Sequence, residues 1–477
     1  MAKKRKFLIL LLFIFLLSLS LRLALVRFNR AANDDHLAVA SFILRNHSLP
    51  IKTDCWECSQ SKLFHLTFAI GLKVPGLVMA MPSYRENLVG ETINFFAAVI
   101  TLVFVWKFIK RLPIHHNQLQ LVAFALVALN PPLIGINSQA TNDTFAILFS
   151  TLALYYAFDF LQGDRIRSLL LVILFTILGI SSKTNTWVTM IAIMLALFAK
   201  AWVQRTRRGK MVMFAVVFII AVISLSVANP LNQAIVNYRK FETPFTNNVP
   251  VYPFPHWSEP TYYSKPGIVS IQEGLFTFKF IELLKHPRIE IGTEIYPSFR
   301  TSLWSLLYGR AYSLHFLNWP TPWSTTGDGL FMLTRGIFIL ALIPTFLIMI
   351  GAAIEIFLVS RSIVKRDLAV AGATHFGLFV FAFLGYLVFI VLYAVEYRDL
   401  FTMNAIFIFP ALLCFTEFFL QISDKLYHFL EKRNRWFVRT FEIAMGVLLA
   451  LYVFDVTTLI LQLAQPYLRA HGILLTM

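Results

Sequence analysis

Charge is scarce in this chain. Charged residues make up 14% of its 477 residues, against about a quarter in an ordinary soluble domain. Acids are scarcest, with 25 Asp and Glu against 42 Lys and Arg. Cysteine is nearly absent, at three residues, which excludes a disulfide-built scaffold and any four-cysteine zinc site. Cys414 lies inside an apolar run and reads as a small hydrophobe. Cys55 and Cys58 form "CWEC" in a polar stretch. That spacing fits a local disulfide, half of a zinc site, or two unpaired thiols.

What fills the space is hydrocarbon: 58% of residues are hydrophobic and the mean hydropathy is +0.69. Runs such as "LVAFALVALNPPLIGI" and "MVMFAVVFIIAVISLSVA" approach the length needed to cross a bilayer as helices. The expected class is therefore an all-α polytopic membrane protein. Spans are expected near 7–28, 88–109, 119–136, 143–161, 169–183, 185–203, 211–229, 329–352, 370–394, 403–421 and 438–462, about eleven in all. The first follows "MAKKRK" and reads as a retained span, because its apolar stretch is long and lacks a small-x-small cleavage site.

The net charge of +17 is distributed as topology requires. The N-terminus and the loops at 107–118, 162–168, 200–210, 360–367 and 422–439 together hold 22 Lys and Arg. The short connections on the other side, near 137–142, 183–185 and 395–402, hold only Lys183 and Arg398. By the positive-inside rule the N-terminus and basic loops are cytoplasmic. Basic residues spread this way do not form the single patch of a nucleic-acid binder.

The segment 63–81, "LFHLTFAIGLKVPGLVMAM", is nearly long enough to span but carries His65, Lys73 and Pro75. Counting it as a span would invert every later loop, so it is expected to lie in or re-enter the outer interface. Residues 34–46 have apolar positions at helical spacing and read as a second in-plane amphipathic helix. Three regions follow: an N-terminal transmembrane module over 1–229 with its first outer loop at 29–87, a large outer loop over 230–328, and C-terminal helices over 329–477. The large loop holds eleven of the twenty prolines and four of the nine tryptophans. It is too proline-rich for regular helix and too aromatic for a disordered linker.

Two acidic stations emerge on the outer side. Asp34 and Asp35 follow the first span, where either could simply cap the next helix. Acids at a membrane boundary are costly, however, and often mark a catalytic cavity. Asp143 lies in "NSQATND" and has the same two readings, with Thr141 or Asn142 as the capping partner. Two carboxylates on one face can act as base and acceptor, or hold a divalent cation. His36 either hydrogen-bonds a neighbouring carboxylate, binds a metal with Asp34 and Asp35, or completes a zinc site with Cys55, Cys58 and His65. Outer cations complement them: Lys183 in "GISSKTNTW", Lys62 in "CSQSKLFH", Arg398 in "YAVEYRDLF" and Arg300 in "YPSFRTSLW". Each could merely snorkel to headgroups, but Lys183 stands where short outer turns avoid positive charge, as expected of a phosphate ligand.

These residues together resemble the type C (GT-C) membrane glycosyltransferases, in the branch of protein O-mannosyltransferases and lipid A aminoarabinose transferases. "NDDH" is similar to that branch's acid pair after the first span, "NPPLIGINSQATND" to its second acidic loop, and "GISSKTNTW" to its lysine-containing turn. The likeness covers roughly residues 1–200. "SQSKLF" lacks the paired prolines found at its place in the family, "CWEC" is not a general family feature, and no C-terminal soluble domain is expected.

The resemblance implies transfer of a sugar from a polyprenyl-phosphate donor to a lipid, polysaccharide or protein acceptor at the extracytoplasmic face, in the bacterial inner membrane. It implies inversion, with Asp34 or Asp35 as general base. Lys183, Lys62 and Arg398 would hold the donor phosphate, while His36, Asp143 and Arg300 would bind substrate or support the site. No metal or other cofactor is required by this reading, which leaves room for a divalent cation. Tryptophans and tyrosines of the large loop would stack on sugar or form an interfacial belt. One rival is a polysaccharide ligase or polymerase using His286, Arg288, Arg300, Arg310 and His315. The other is a secondary transporter, against which stands the expectation of little mid-span charge beyond Arg22 and Glu355.

Overall fold

A computed structural model describes residues 2–29, 35–74, 86–243, 271–287, 301–314, 328–397 and 405–470. Among them there is no β-strand. The N-terminal half runs α1 (Ala2–Phe28), α2 (His36–Asn46), α3 (Leu63–Lys73), α4 (Asn87–Ile109), α5 (Asn117–Ala128), α6 (Pro131–Asn137), α7 (Asp143–Gly163), α8 (Ile166–Ser182), α9 (Trp187–Val203) and α10 (Arg208–Ala228). Short helices follow at α11 (Ala234–Phe241), α12 (Ile271–Phe276), α13 (Phe280–Lys285) and α14 (Leu303–Tyr312). The chain then continues through α15 (Asp328–Lys365), α16 (Leu368–Ala373), α17 (Leu378–Tyr397), α18 (Leu412–Arg433) and α19 (Arg435–Ala470).

Eight helices among the described residues are long and apolar enough to cross a membrane, or nine if α5 and α6 form one broken span. Two of the eleven expected spans differ. The 169–183 span is the 17-residue α8, and the 403–421 span begins only at Leu412, after 3₁₀ turns at Ala405–Phe407 and Phe409–Ala411.

The basic loops gather at one end of the bundle. Arg111 pairs with Asp159 at 2.7 Å, and Asp164 joins Lys200 and Arg207, the latter at 2.8 Å. His116 meets Asp424 at 2.8 Å, and the Trp202 indole donates to the Ile363 carbonyl at 3.2 Å. Residues 29, 35–62, 137–143, 183–187 and 229–233 are linked to one another at the opposite end.

The break between α5 and α6 is encoded by Pro131 and Pro132, which lack amide protons and so leave carbonyls of the preceding turn unanswered. The two helices meet at 49°. Buried Arg22 of α1 answers one of those carbonyls. Its guanidinium donates to the Ala128 carbonyl at 2.8 Å and to Asn137 Oδ1 at 3.3 Å, while the Ser18 hydroxyl donates to the same Ala128 carbonyl at 2.7 Å. Asn130 caps α6 by accepting from the Leu133 amide at 2.9 Å. This arrangement delivers the 137–143 loop to the non-basic end.

The expectation that mid-span charge stops at Arg22 and Glu355 needs correction. Glu417 and Asp455 are also buried in helices of the C-terminal half. Asp455 accepts from the Leu314 amide at 2.7 Å and the Ser313 hydroxyl at 3.2 Å, which closes the end of α14. Glu417 accepts from the Gln421 amide at 3.0 Å and faces His375 at 3.5 Å. Single polar residues in apolar runs reveal neither their helical face nor their partners from sequence.

Candidate functional site

The first outer loop lies against the N-termini of α4 and α7 and the C-terminus of α8. α3 packs beside α4, where Gly90 allows close approach: a Cβ there would lie 2.8 Å from that of Ala140 and 3.0 Å from the Phe68 ring. Asn29, at the end of α1, donates to Glu91 Oε1 at 3.0 Å and to the Ser138 carbonyl at 3.2 Å. Asn94 of α4 donates to the carbonyls of Gln139 and Thr141 at 2.6 and 2.7 Å. The end of α1, the start of α4 and the second acidic loop are thereby fixed together.

Asp34 lies outside the described residues, as do Arg300 and Arg398. Asp35 is exposed and caps α2, accepting from the Ala38 amide at 3.1 Å. The next residue, His36, is buried, and its Nδ1 lies 2.9 Å from His65 Nε2. His65 Nδ1 in turn lies 3.1 Å from the Ser61 carbonyl, an acceptor only. His65 therefore donates from Nδ1, which leaves its Nε2 to accept from His36. Both rings are neutral. Burial, aided by the charges of Lys183 and Lys62 and opposed by Asp143, lowers His36 to about 3. Burial pushes His65 well down too. Lys183, Asp143 and Lys62 all act on His36, so the second acidic station and two of the cations lie around the helix that Asp35 caps.

"CWEC" is a disulfide between Cys55 and Cys58, so neither thiol is available to zinc. Among the described residues no group of three His, Cys, Asp or Glu side chains is placed to hold a metal ion. The bridge closes a 3₁₀ turn at Trp56–Ser59. Lys62 follows, fully buried, with its ammonium donating to the Cys58 and Gln60 carbonyls at 2.6 Å each. Burial lowers its pKa to about 7, against the opposing pull of Glu57 and Asp54.

Asp143 begins α7, and Lys183 follows the last residue of α8. The antiparallel hairpin brings their side chains to 2.5 Å, both largely buried. Thr141 accounts for the other carboxylate oxygen, donating to Oδ2 at 2.9 Å. Asn142 makes no side-chain cap. Its amide instead donates to Gln60 Oε1 and to the Ser182 carbonyl, joining the two outer loops.

Three residues here escape sequence reasoning: Gln60, Glu91 and Asn185. Glu91 is buried with Oε2 unpartnered, and Asn185, two residues after Lys183, is 5% exposed with neither polar side-chain atom partnered. Glu91 was discoverable as an acid inside an apolar run; polar amides carry no such signal. Of the loop cations, Arg310 is buried in α14, and His286 follows α13.

The Lys183 ammonium also sits 5.4 Å from the centre of the Phe407 ring. The next residues, Ile408 and Phe409, line an apolar cavity of about 490 Å³, together with Asn130, Tyr308, Tyr312 and Pro344. Phe407, whose ring Lys183 faces, thus directly precedes two residues of the cavity's lining.

A family model described as dolichyl-phosphate-mannose-protein mannosyltransferase matches residues 87–227, which hold Asp143 and Lys183 but not the first outer loop. A comparison with curated protein sequences finds no match. Among solved structures, the archaeal oligosaccharyltransferase AglB from Archaeoglobus fulgidus, in complex with an inhibitory peptide and a dolichol-phosphate, is similar at a TM-score of 0.50 and 13% identity. That match covers 97% of this chain and 56% of that one, so the chain spans little more than half its length. ArnT from Cupriavidus metallidurans, bound to undecaprenyl phosphate, is similar at a TM-score of 0.34 and 12% identity, over 79% of this chain and 76% of that one. The chain is a multi-pass helical membrane protein with the fold of the type C glycosyltransferases.

Proposed function

We propose that the protein transfers a sugar from a polyprenyl-phosphate donor to an acceptor at the extracytoplasmic face, with inversion at the anomeric carbon. The observation that carries this reading is the Asp143–Lys183 pair at 2.5 Å, which acts on His36 and faces the Phe407 ring, next in the chain to residues lining an apolar cavity. A lipid phosphate needs a cation level with the headgroups and an apolar space for its tail. With the basic loops in the cytoplasm, this site faces outward.

In this reading the acceptor hydroxyl attacks the anomeric carbon while a carboxylate of the Asp34–Asp35 pair takes its proton. The bond from that carbon to the phosphate oxygen breaks, and polyprenyl phosphate leaves with the electron pair. A positioned base contributes roughly 10²–10⁴-fold. Lys183 stabilises the charge on the departing phosphate, and Asp143 holds Lys183 for that contact. Arg398 lies in the segment leading to Phe407 and is the second phosphate candidate; Arg300 supports the acceptor. Lys62 is engaged with two carbonyls, so its part is to shape the loop between phosphate and base. His36, neutral and buried behind Asp35, orients α2.

The test is incubation of the purified, lipid-reconstituted chain with a panel of labelled polyprenyl-phosphate sugars and envelope acceptors. Release of free polyprenyl phosphate with labelled product supports the reading. Failure with every donor, with the fold intact, overturns it.

A further inference from the structure

The disulfide sits where the outer loop touches the rest of the site. Cys58 is completely buried, while Cys55 is partly exposed. Backbone bonds from Cys58 to Cys55 at 3.1 Å and from Gln60 to Glu57 at 3.2 Å close the same turn. A four-residue 3₁₀ turn has poor hydrogen-bond geometry and little stability of its own, so the bridge supplies much of its order.

The contacts that reach the site start from this turn. The Cys58 and Gln60 carbonyls hold the Lys62 ammonium, and the Lys62 amide donates to the Leu231 carbonyl at 2.7 Å. Gln60 joins Glu57 to Asn142, the neighbour of Asp143. The Ser61 carbonyl sets the tautomer of His65 and, through it, of His36.

We propose that Cys55–Cys58 is a thiol–disulfide exchange site through which an extracytoplasmic dithiol reductant loosens the Lys62 clamp and the Gln60–Asn142 link. The reductant's thiolate attacks the sulfur of Cys55, the accessible half of the bridge. The S–S bond breaks and Cys58 departs as a thiolate. The second thiol of the reductant then displaces Cys55, so two electrons and two protons pass to the chain and the reductant leaves as a disulfide. Lys62, bound to the carbonyl of Cys58, is a source of positive charge beside the outgoing thiolate. The opened turn frees Gln60 from Asn142, the residue before Asp143, and so loosens the loop that carries the Asp143–Lys183 pair. The effect on sugar transfer rests on the proposed function; the opening itself does not.

The experiment treats the full chain in lipid nanodiscs with dithiothreitol, then follows alkylation of Cys55 and Cys58, acylation of Lys62 and amide exchange over residues 56–66 by peptide mass spectrometry. The expected result is reduction under native conditions, Lys62 passing from unreactive to labelled, and exchange over 56–66 faster by about tenfold or more. Reoxidation should reverse all three. The double variant Cys55→Ser/Cys58→Ser should show the opened pattern without reductant and no response to it. A bridge that resists native reduction overturns the proposal, as does one that opens while Lys62 stays unlabelled and exchange unchanged. Sugar transfer measured in parallel should fall several-fold on reduction; an unchanged rate would overturn the coupling to the site. Absence of transfer in the oxidised protein would count against the proposed function instead, leaving the labelling results to judge the exchange site.

Discussion

Asp143 and Lys183 stand 40 residues apart in the chain and 2.5 Å apart in space, at the same end of the α7–α8 hairpin. A buried carboxylate and ammonium compensate each other, and removing one leaves the other uncompensated at several kcal/mol. In the proposed mechanism Asp143 would keep the ammonium in place until the donor phosphate competes for it.

Lys183→Gln should lower sugar transfer by roughly 10²–10³-fold, the scale of losing one stabilising donor at a developing anion. Asp143→Asn should lower it less, and the double variant should be no worse than Lys183→Gln, because the two act as a unit. Initial rates on reconstituted protein with a saturating labelled donor check this. Equal, additive losses would separate the two roles.

The His36–His65 pair makes stability acid-sensitive. His36 has a folded pKa of about 3, depressed from 6.5, and His65 is depressed as well. The unfolded chain therefore binds more protons between these values, and stability is lost as pH falls from about 6.5 toward 3. The slope is at most about 1.4 kcal/mol per pH unit for each ring. Thermal unfolding across that window should show a flatter profile for His36→Gln/His65→Gln than for the wild type.

Arg22→Met should destabilise the fold without altering the chemistry of the site. It strips the Ala128 carbonyl and Asn137 of a charged donor deep in the bundle, at about 1–3 kcal/mol for each polar group left unsatisfied. Arg22→Lys should rescue only in part, since an ammonium cannot span both acceptors as the planar guanidinium does. Thermal melts in detergent report this directly.

Chelation should leave transfer intact. Asp143 has Oδ1 engaged by Lys183 and Oδ2 by Thr141, and the neighbouring cysteines are bridged. The proposed steps need only side-chain charge. Rates before and after EDTA treatment, with magnesium and manganese added back, are the check; loss of activity restored by one metal would require a carboxylate pair to be reassigned.

The sequence made some of this legible through exceptions to its own rules. Lys183 was visible because a short outer turn should hold no cation, and Asp143 because an acid at a helix start marks either a cap or a site. Residues 119–136 read as one continuous span, and the 49° break at Pro131 and Pro132 emerges only in the structure. What stayed hidden depends on packing. Asn142 looks like a cap for α7, yet its amide is drawn to Gln60 in another loop. Lys62 looks like an exposed loop cation, yet it is buried on carbonyls two and four residues before it. The start of α18 is displaced from its expected place because the chain first makes 3₁₀ turns at 405–411, and hydropathy registers apolar length and not backbone geometry.

The most direct measurement is sugar transfer from a labelled polyprenyl-phosphate donor by Asp34→Asn and Asp35→Asn, each compared with wild type at matched thermal stability. One of them should lose transfer by roughly 10²-fold or more while still binding donor. Undiminished transfer by both variants would contradict the proposed general base.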